Sequence, residues 1–164
     1  MDKHLYYQIA HQGSLRIKHP GMQVLRKLAT QAKNILDLGC GEGTRLNFLV
    51  SNKKKALGVD ISKTGIKLAQ KSFPQMHFLI ANLEKLPIKN ESFNLVYSAF
   101  VLEHLDYPEK VLDEAIRVTA FGGHLVLIAP NFGAPNRVSP PFQGSRFNKF
   151  INGVLNDLLR VFFK

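Results

Sequence analysis

Asp37, Gly39, Gly41 and Gly43 stand at every second position of "LDLGCGEG", and Asp60 follows seventeen residues after the last of these glycines. A residue without a β-carbon can take positive φ and lets another molecule approach the backbone closely. A helix that opens on such a loop adds unpaired N–H groups and a positive dipole end, which favour a negative group such as a carboxylate. A tight strand-to-helix turn accounts for one glycine, hardly for three. Asp60 ends "ALGVDIS" near the position where nucleotide-binding sheets hold ribose hydroxyls. Its carboxylate has acceptors for both hydroxyls, although it could instead cap a helix starting near Ser62. In the dinucleotide fingerprint G-x-G-x-x-G the second glycine spacing widens. Here it stays at two and an acid precedes the first glycine, which argues against NAD and for a cofactor without a pyrophosphate.

These residues need a frame to position them. "NILDLG" (34–39) reads as a short buried strand, followed by helical spacing of Leu46, Leu49 and Val50 in 43–52. "KKALGVDI" (54–61) reads as a second strand. A helix over 62–73 has Ser62 as its cap and stops before Pro74. "MHFLIANL" (76–83) and "SFNLVYSAF" (92–100) are the third and fourth strands. A helix over 108–119 carries proline in its first turn, Gly122-Gly123 closes that region, and "HLVLIAP" (124–130) is the fifth strand. Short strands, apolar on both faces and separated by helices, predict an α/β fold: a parallel sheet covered on both sides. Ligands of such sheets bind beyond the carboxyl ends of the strands, where strand order reverses.

The chain has 164 residues, enough for one domain with a core. An apolar content of 45% with 21% charged residues fits a globular rather than a disordered chain. A formal charge of +10 makes an anionic partner, nucleic acid or membrane surface, worth weighing. The single cysteine excludes an internal disulfide, no cysteine–histidine spacing suggests zinc, and a reducing cytoplasm is the expected location. Met1–Leu15 lacks the apolar core of a signal peptide, and no apolar run approaches the roughly 20 residues of a membrane-spanning helix.

With the glycine loop and Asp60 in place, the sequence resembles the class I S-adenosylmethionine-dependent methyltransferases, within them the small-molecule group that includes the ubiquinone/menaquinone methylases (type 11). "LDLGCGEGT" looks like the family's glycine-rich motif and "GVDIS" like its ribose motif. "ANLEKLPIKNESFNLVYSAFVLEHL" matches the third and fourth strand region, and "GGHLVLIAPN" the fifth strand, so that the likeness covers about Leu25 to Asn131. The resemblance implies a Rossmann-like, doubly wound, mainly parallel sheet of order 3-2-1-4-5; the family normally adds strands 6 and 7, which the residues after the fifth strand do not supply. It implies S-adenosylmethionine as cofactor and S-adenosylhomocysteine as product. Gly39, Cys40 and Gly41 would lie against the methionine part with Asp37 near its amino group. Asp60 would bind the ribose, Ile61 cover an adenine face, Asn82 and Leu83 meet the adenine edge, and Ser98 line the methionine end. Two positions depart from the family: Asn82 replaces the usual aspartate, keeping a carbonyl acceptor but losing the charge, and Asn94 stands where "SFDLV" is usual.

Methyl transfer from a sulfonium is an in-line displacement, so holding the nucleophile close and excluding water supply much of the catalysis. His104, just after the fourth strand, is the general-base candidate, with packing beneath the cofactor as its alternative role. Glu103 reads as a solvated or loop-fixing carboxylate, and Arg45 with Lys53-Lys54-Lys55 as solvated faces. Residues 1–33 read as an N-terminal helical lid, where Tyr6, Tyr7, Arg16 and His19 could touch cofactor or substrate. Residues 34–131 read as the cofactor-binding core of a single methyltransferase domain spanning 1–164. Residues 132–164 read as a loop and a C-terminal helix, cut short before the end of the domain. That helix groups Phe147, Phe150, Ile151, Val154 and Leu158 near one face; it would pack on the domain or a partner, or rest peripherally on an anionic membrane. The expected acceptor is a small or lipid-like molecule. The alternatives are an RNA or protein methyltransferase, disfavoured by the lack of an RNA-binding module and of the Asn/Asp-Pro-Pro-Tyr/Phe motif, and a degenerate cofactor-binding scaffold.

Overall fold

The computed structural model describes residues 19–50 and 55–129. The first helix, α1 (Pro20–Gln31), starts on a proline after His19, whose Nδ1 accepts from the Gly21 N–H at 3.2 Å. Then follow β1 (Asn34–Leu38), α2 (Thr44–Leu49), β2 (Lys55–Asp60), α3 (Lys63–Ser72) and β3 (His77–Ile80). β4 (Phe93–Ala99), a single 3-10 turn (Leu102–His104), α4 (Pro108–Val118) and β5 (Thr119–Ile128) complete the described chain. Ser62 caps α3 through its hydroxyl, which accepts from the Gly65 N–H, as the sequence predicts.

The five strands lie in the order β3-β2-β1-β4-β5, and every pairing is parallel. This is the expected doubly wound sheet. β1 is central and buried from Ile35 to Leu38, because β2 and β4 flank it and helices cover both faces. One face packs Met22, Leu25 and Ala29 of α1 with Leu46 and Leu49 of α2 onto Ile35, Leu95 and Tyr97. The other face packs Val111, Ala115 and Val118 of α4 with Leu83 and Leu86 onto Leu36, Leu38 and Val96. The two faces of β1 thus alternate along the strand, as pleating requires.

β5 differs from its expected form. It starts at Thr119, not at 124, and Gly122-Gly123 lie inside it rather than ending the helix region. Pairing shifts there: β4 advances from Phe93 to Leu95 while β5 advances from Thr119 to His124. The extra residues bulge outward, leaving Phe121 97% exposed. Gly122 takes φ +71°, and a β-carbon on Gly123 would stand 2.9 Å from the Asn94 carbonyl oxygen, so the two glycines serve the bulge.

The long connection from β3 to β4 is tied to α4 by the branched Glu114–Arg117 pair of that helix and by an ion pair between Glu84 and Lys110 at 3.7 Å. Arg117 donates to Glu114, to the Ile88 and Leu86 carbonyls and to Asn90 Oδ1, while Glu114 accepts from the Leu86 N–H at 2.6 Å. The Arg117 hydrogen bonds hold Glu114 below the usual carboxylate range. Among the described residues no helix is long and apolar enough to cross a membrane. The part of the expected lid that falls within the described residues, α1, is a core-packed helix. Tyr6, Tyr7, Arg16, Lys53, Lys54 and the whole C-terminal segment from residue 130, with its membrane or partner face, lie outside the described residues.

Candidate functional site

The carboxyl ends of β1, β2, β3 and β4 bring the expected site residues to one edge of the sheet. At the end of β1 the chain makes three left-handed turns, at Gly39 (φ +83°), Gly41 (φ +54°) and Gly43 (φ +82°). Each glycine has its own cause. A β-carbon on Gly39 would stand 2.4 Å from Val101 Cγ2, and one on Gly43 would stand 2.8 Å from the Phe78 ring. Gly41 instead donates its N–H to Asp60 Oδ2 at 2.8 Å. The loop is therefore shaped from within, and its bare backbone follows from the turn geometry.

Asp60 accepts on both oxygens: Gly41 N–H on Oδ2, and Ser62 N–H on Oδ1 at 2.8 Å. It ties the glycine loop to β2 and fixes the residue that caps α3, but the cap itself is Ser62, so the capping role weighed for Asp60 falls to its neighbour. Each carboxylate oxygen keeps a further lone pair for a ligand hydroxyl. Ile61 beside it is 69% exposed, a large apolar side chain with a free face. After β3, Leu83 turns into the core and Asn82 stays exposed, with its Oδ1 accepting from the Glu84 N–H at 3.0 Å. The amide NH2 and the second lone pair of Oδ1 are left for Asn82 to present.

Cys40 commits its polar groups inward. Its N–H donates to the Val59 carbonyl, its own carbonyl accepts from Gly43, and its buried sulfur stands 2.8 Å from where a β-carbon on Gly58 would be. Burial pushes its thiol well up. Ser98 is likewise fully buried, its hydroxyl donating to the Leu38 carbonyl at 3.1 Å. Both residues shape the site from behind. His104 ends the 3-10 turn, with its side chain exposed at this edge. Neighbouring Glu103 has one oxygen, Oε2, that is buried without a hydrogen-bond partner, unlike a solvated or loop-fixing carboxylate.

Asp37 carries the electrostatics. It is fully buried, accepts from the Tyr97 hydroxyl at 2.7 Å on Oδ2, and has no hydrogen-bond partner on Oδ1. Burial raises its pKa to about 6, opposed chiefly by Arg45 and then by the Tyr97 hydrogen bond. Sequence reasoning misses both of these neighbours. Arg45 is only 9% exposed, not a solvated face: it donates to the Ala99 carbonyl at 3.0 Å and lies over the Phe100 ring. Phe100 itself takes φ +61°, a conformation unusual for a bulky residue. Among the described residues no cluster of metal-ligating side chains exists.

A reversal of strand order between β1 and β4, with a glycine loop and two acids at the carboxyl edge, is the architecture of a doubly wound domain, the class of sheet whose ligands bind at that edge. The model of the family described as "Methyltransferase domain" matches residues 36–127, and the chain belongs to that family. S-adenosylmethionine-dependent enzymes stand among its relatives. A Mycobacterium tuberculosis protein named a probable S-adenosylmethionine-dependent methyltransferase is 29% identical over 76% of this chain and 48% of its own length. The demethylmenaquinone methyltransferase of Renibacterium salmoninarum is 30% identical over 64% of this chain and 46% of its own. The crystal structure of a methyltransferase-type protein from Bacillus halodurans superposes with a TM-score of 0.58 at 26% identity, covering 65% of this chain and 52% of that one. The chain spans about half the length of the curated relatives it matches.

Proposed function

We propose that this chain binds S-adenosylmethionine across the carboxyl ends of β1 and β2 and serves methyl transfer to a small-molecule or lipid-like acceptor. The observation that carries the reading is Asp37, a buried carboxylate with one oxygen left without a partner beneath a loop of left-handed glycines. Such an oxygen is costly unless a donor arrives, and the ammonium of an amino-acid moiety is a donor of the right charge. When bound, the cofactor supplies a methyl group on a sulfonium that is its own leaving group.

The chain's residues do the rest. Asp60 takes ribose hydroxyls on its remaining lone pairs while it keeps the loop in place. Ile61 offers its exposed side chain as an apolar cover for an adenine face. Asn82 reaches the adenine edge with its amide, and Leu83 packs beneath it. Gly39, Cys40 and Gly41 supply backbone close to the methionine part, and Ser98 holds β4 against β1 below it. His104 accepts the acceptor's proton on its imidazole, because it is an exposed base at the same edge. The demethylmenaquinone methyltransferase among the relatives supports an acceptor of small or lipid-like type.

Calorimetric titration with S-adenosylhomocysteine tests the reading. Binding is expected in the wild-type protein and should weaken roughly 10- to 100-fold in Asp37→Asn, the scale of one charge-assisted hydrogen bond. Radiolabelled methyl transfer into fractionated extract would then identify the acceptor class. Absence of both binding heat and thermal shift in the wild-type protein would refute the assignment and favour a scaffold.

A further inference from the structure

We propose that Arg45, a residue of α2 outside the expected set of cofactor contacts, is a positioning residue that ties down the exit turn of β4 and counters the charge of Asp37. The inference rests on the cofactor reading above for its consequence, but its physical basis lies in the ligand-free fold.

Arg45 is almost fully buried and spends its guanidinium on two neighbours. One terminal nitrogen donates to the Ala99 carbonyl, the last residue of β4. The Arg45 Cζ stands 5.6 Å from the ring centroid of Phe100, the next residue, which is held at positive φ. Phe100 is pinned from its other sides by its N–H on the Ile128 carbonyl at 2.7 Å and by an edge-on contact with the His19 ring. The following residue, Val101, is the one against which Gly39 lies. Arg45 therefore holds the β4 exit whose next side chain abuts the glycine loop.

Its second role is electrostatic. The groups that face Asp37 are Arg45 from α2, Tyr97 from β4, Asp60 from β2 and Glu42 from the glycine loop. Arg45 is the single cation among these four, set against two further acids, and Tyr97 is neutral because burial pushes its hydroxyl well up. The Arg45 Nε is buried without a hydrogen-bond partner, so its placement is not explained by hydrogen bonding alone. A solvated arginine would meet its donors with water; this one forgoes that where Asp37 needs a counter-charge.

The test compares Arg45→Met with Arg45→Lys. In ligand-free protein, the 13C signal of the Asp37 carboxyl should titrate about one pH unit higher in the Met variant, the low end of the effect of one nearby opposite charge. It should stay within a few tenths of a unit of wild type in the Lys variant. Affinity for S-adenosylhomocysteine in the Met variant should fall roughly five-fold further at pH 6 than at pH 8.5 through this linkage, on top of a pH-independent loss at least as large as that of the Lys variant. A merely structural role would weaken binding equally at both pH values and leave the Asp37 titration unmoved; that pattern overturns the proposal. If the Met variant does not fold, the Lys variant decides. It keeps the charge but loses the fork-shaped donor, so its binding should weaken about two- to five-fold at every pH, and wild-type affinity there refutes the turn-holding role. If the wild-type protein binds no S-adenosylhomocysteine, the cofactor reading fails, while the carboxyl titration still judges Arg45.

Discussion

Replacing Gly39 with alanine separates two reasons for a glycine at the head of the loop. At φ +83° an L-residue with a side chain costs about 1–2 kcal/mol in backbone strain. The new β-carbon would also stand 2.4, 2.7 and 3.1 Å from the two methyls and the β-carbon of Val101. Rotating the valine cannot clear its own β-carbon, so backbone must shift, at about 1–3 kcal/mol for overpacking. The sum, about 2–5 kcal/mol, is a large part of an ordinary domain's stability of about 5–15 kcal/mol. Gly122 supplies the control, since it has φ +71° and nothing within 4 Å of the place an alanine methyl would occupy. Gly122→Ala should therefore cost the backbone part alone, about 1–2 kcal/mol. Urea unfolding of both variants, and of Gly39→Ala combined with Val101→Ala, reads the difference. The double variant should be less destabilised than the sum of its singles by about 1–3 kcal/mol. Equal costs for Gly39→Ala and Gly122→Ala, with additive behaviour against Val101→Ala, would refute the contact.

Asp37 predicts an opposition between stability and binding. Its folded pKa of about 6 lies above the ordinary 3.8, so between roughly pH 4 and 6 the folded state keeps a proton that the unfolded chain has released. Stability from this group therefore falls as pH rises through that window and is flat above it. Asp37→Asn should remove the slope and raise stability at pH 7 by about 3 kcal/mol, read by chemical unfolding across pH, even as cofactor affinity drops. Arg117→Met should release the β3–β4 connection from α4 and speed amide exchange at Leu86 roughly ten-fold or more, as hydrogen–deuterium exchange would report. Glu114, held low by the same pair, should contribute stability that is present above about pH 4.5 and lost on acidification, and Arg117→Met should flatten that acid limb. Phe121→Ser, on an exposed bulge, should change unfolding free energy by no more than about 0.5 kcal/mol.

The sheet was readable because its strands are apolar on both faces and its helices carry recognisable starts, such as Ser62 and Pro108. The candidate site at the carboxyl edge was drawn from glycine spacing and one acid, and the fold brings those residues to one edge. What escaped depends on contacts between distant segments. Arg45 reads as a surface cation from its own helix, and only the turn at Ala99–Phe100, more than fifty residues on, makes it a buried one. Tyr97 looks like an ordinary strand residue until β1 and β4 pair Asp37 beside it. Likewise Gly122-Gly123 carry a turn signal that a helix end or a bulge would satisfy equally, and the register with β4 decides for the bulge. Asp60 was open between ligand and cap; Ser62 takes the cap, while Asp60 braces the glycine loop and keeps a free lone pair on each oxygen for a ligand.

The central place of β1 has a consequence for the life of the chain before it is folded. Its neighbour on one side, β4, is made some sixty residues later, since Asp37 must wait for Tyr97. A ribosome adding about 5–20 residues each second would leave an apolar, two-sided strand half-covered for several seconds, with no hairpin to shelter it. Parallel pairing between remote segments is slow to nucleate, so newly made chains should depend on holding factors more than finished ones do.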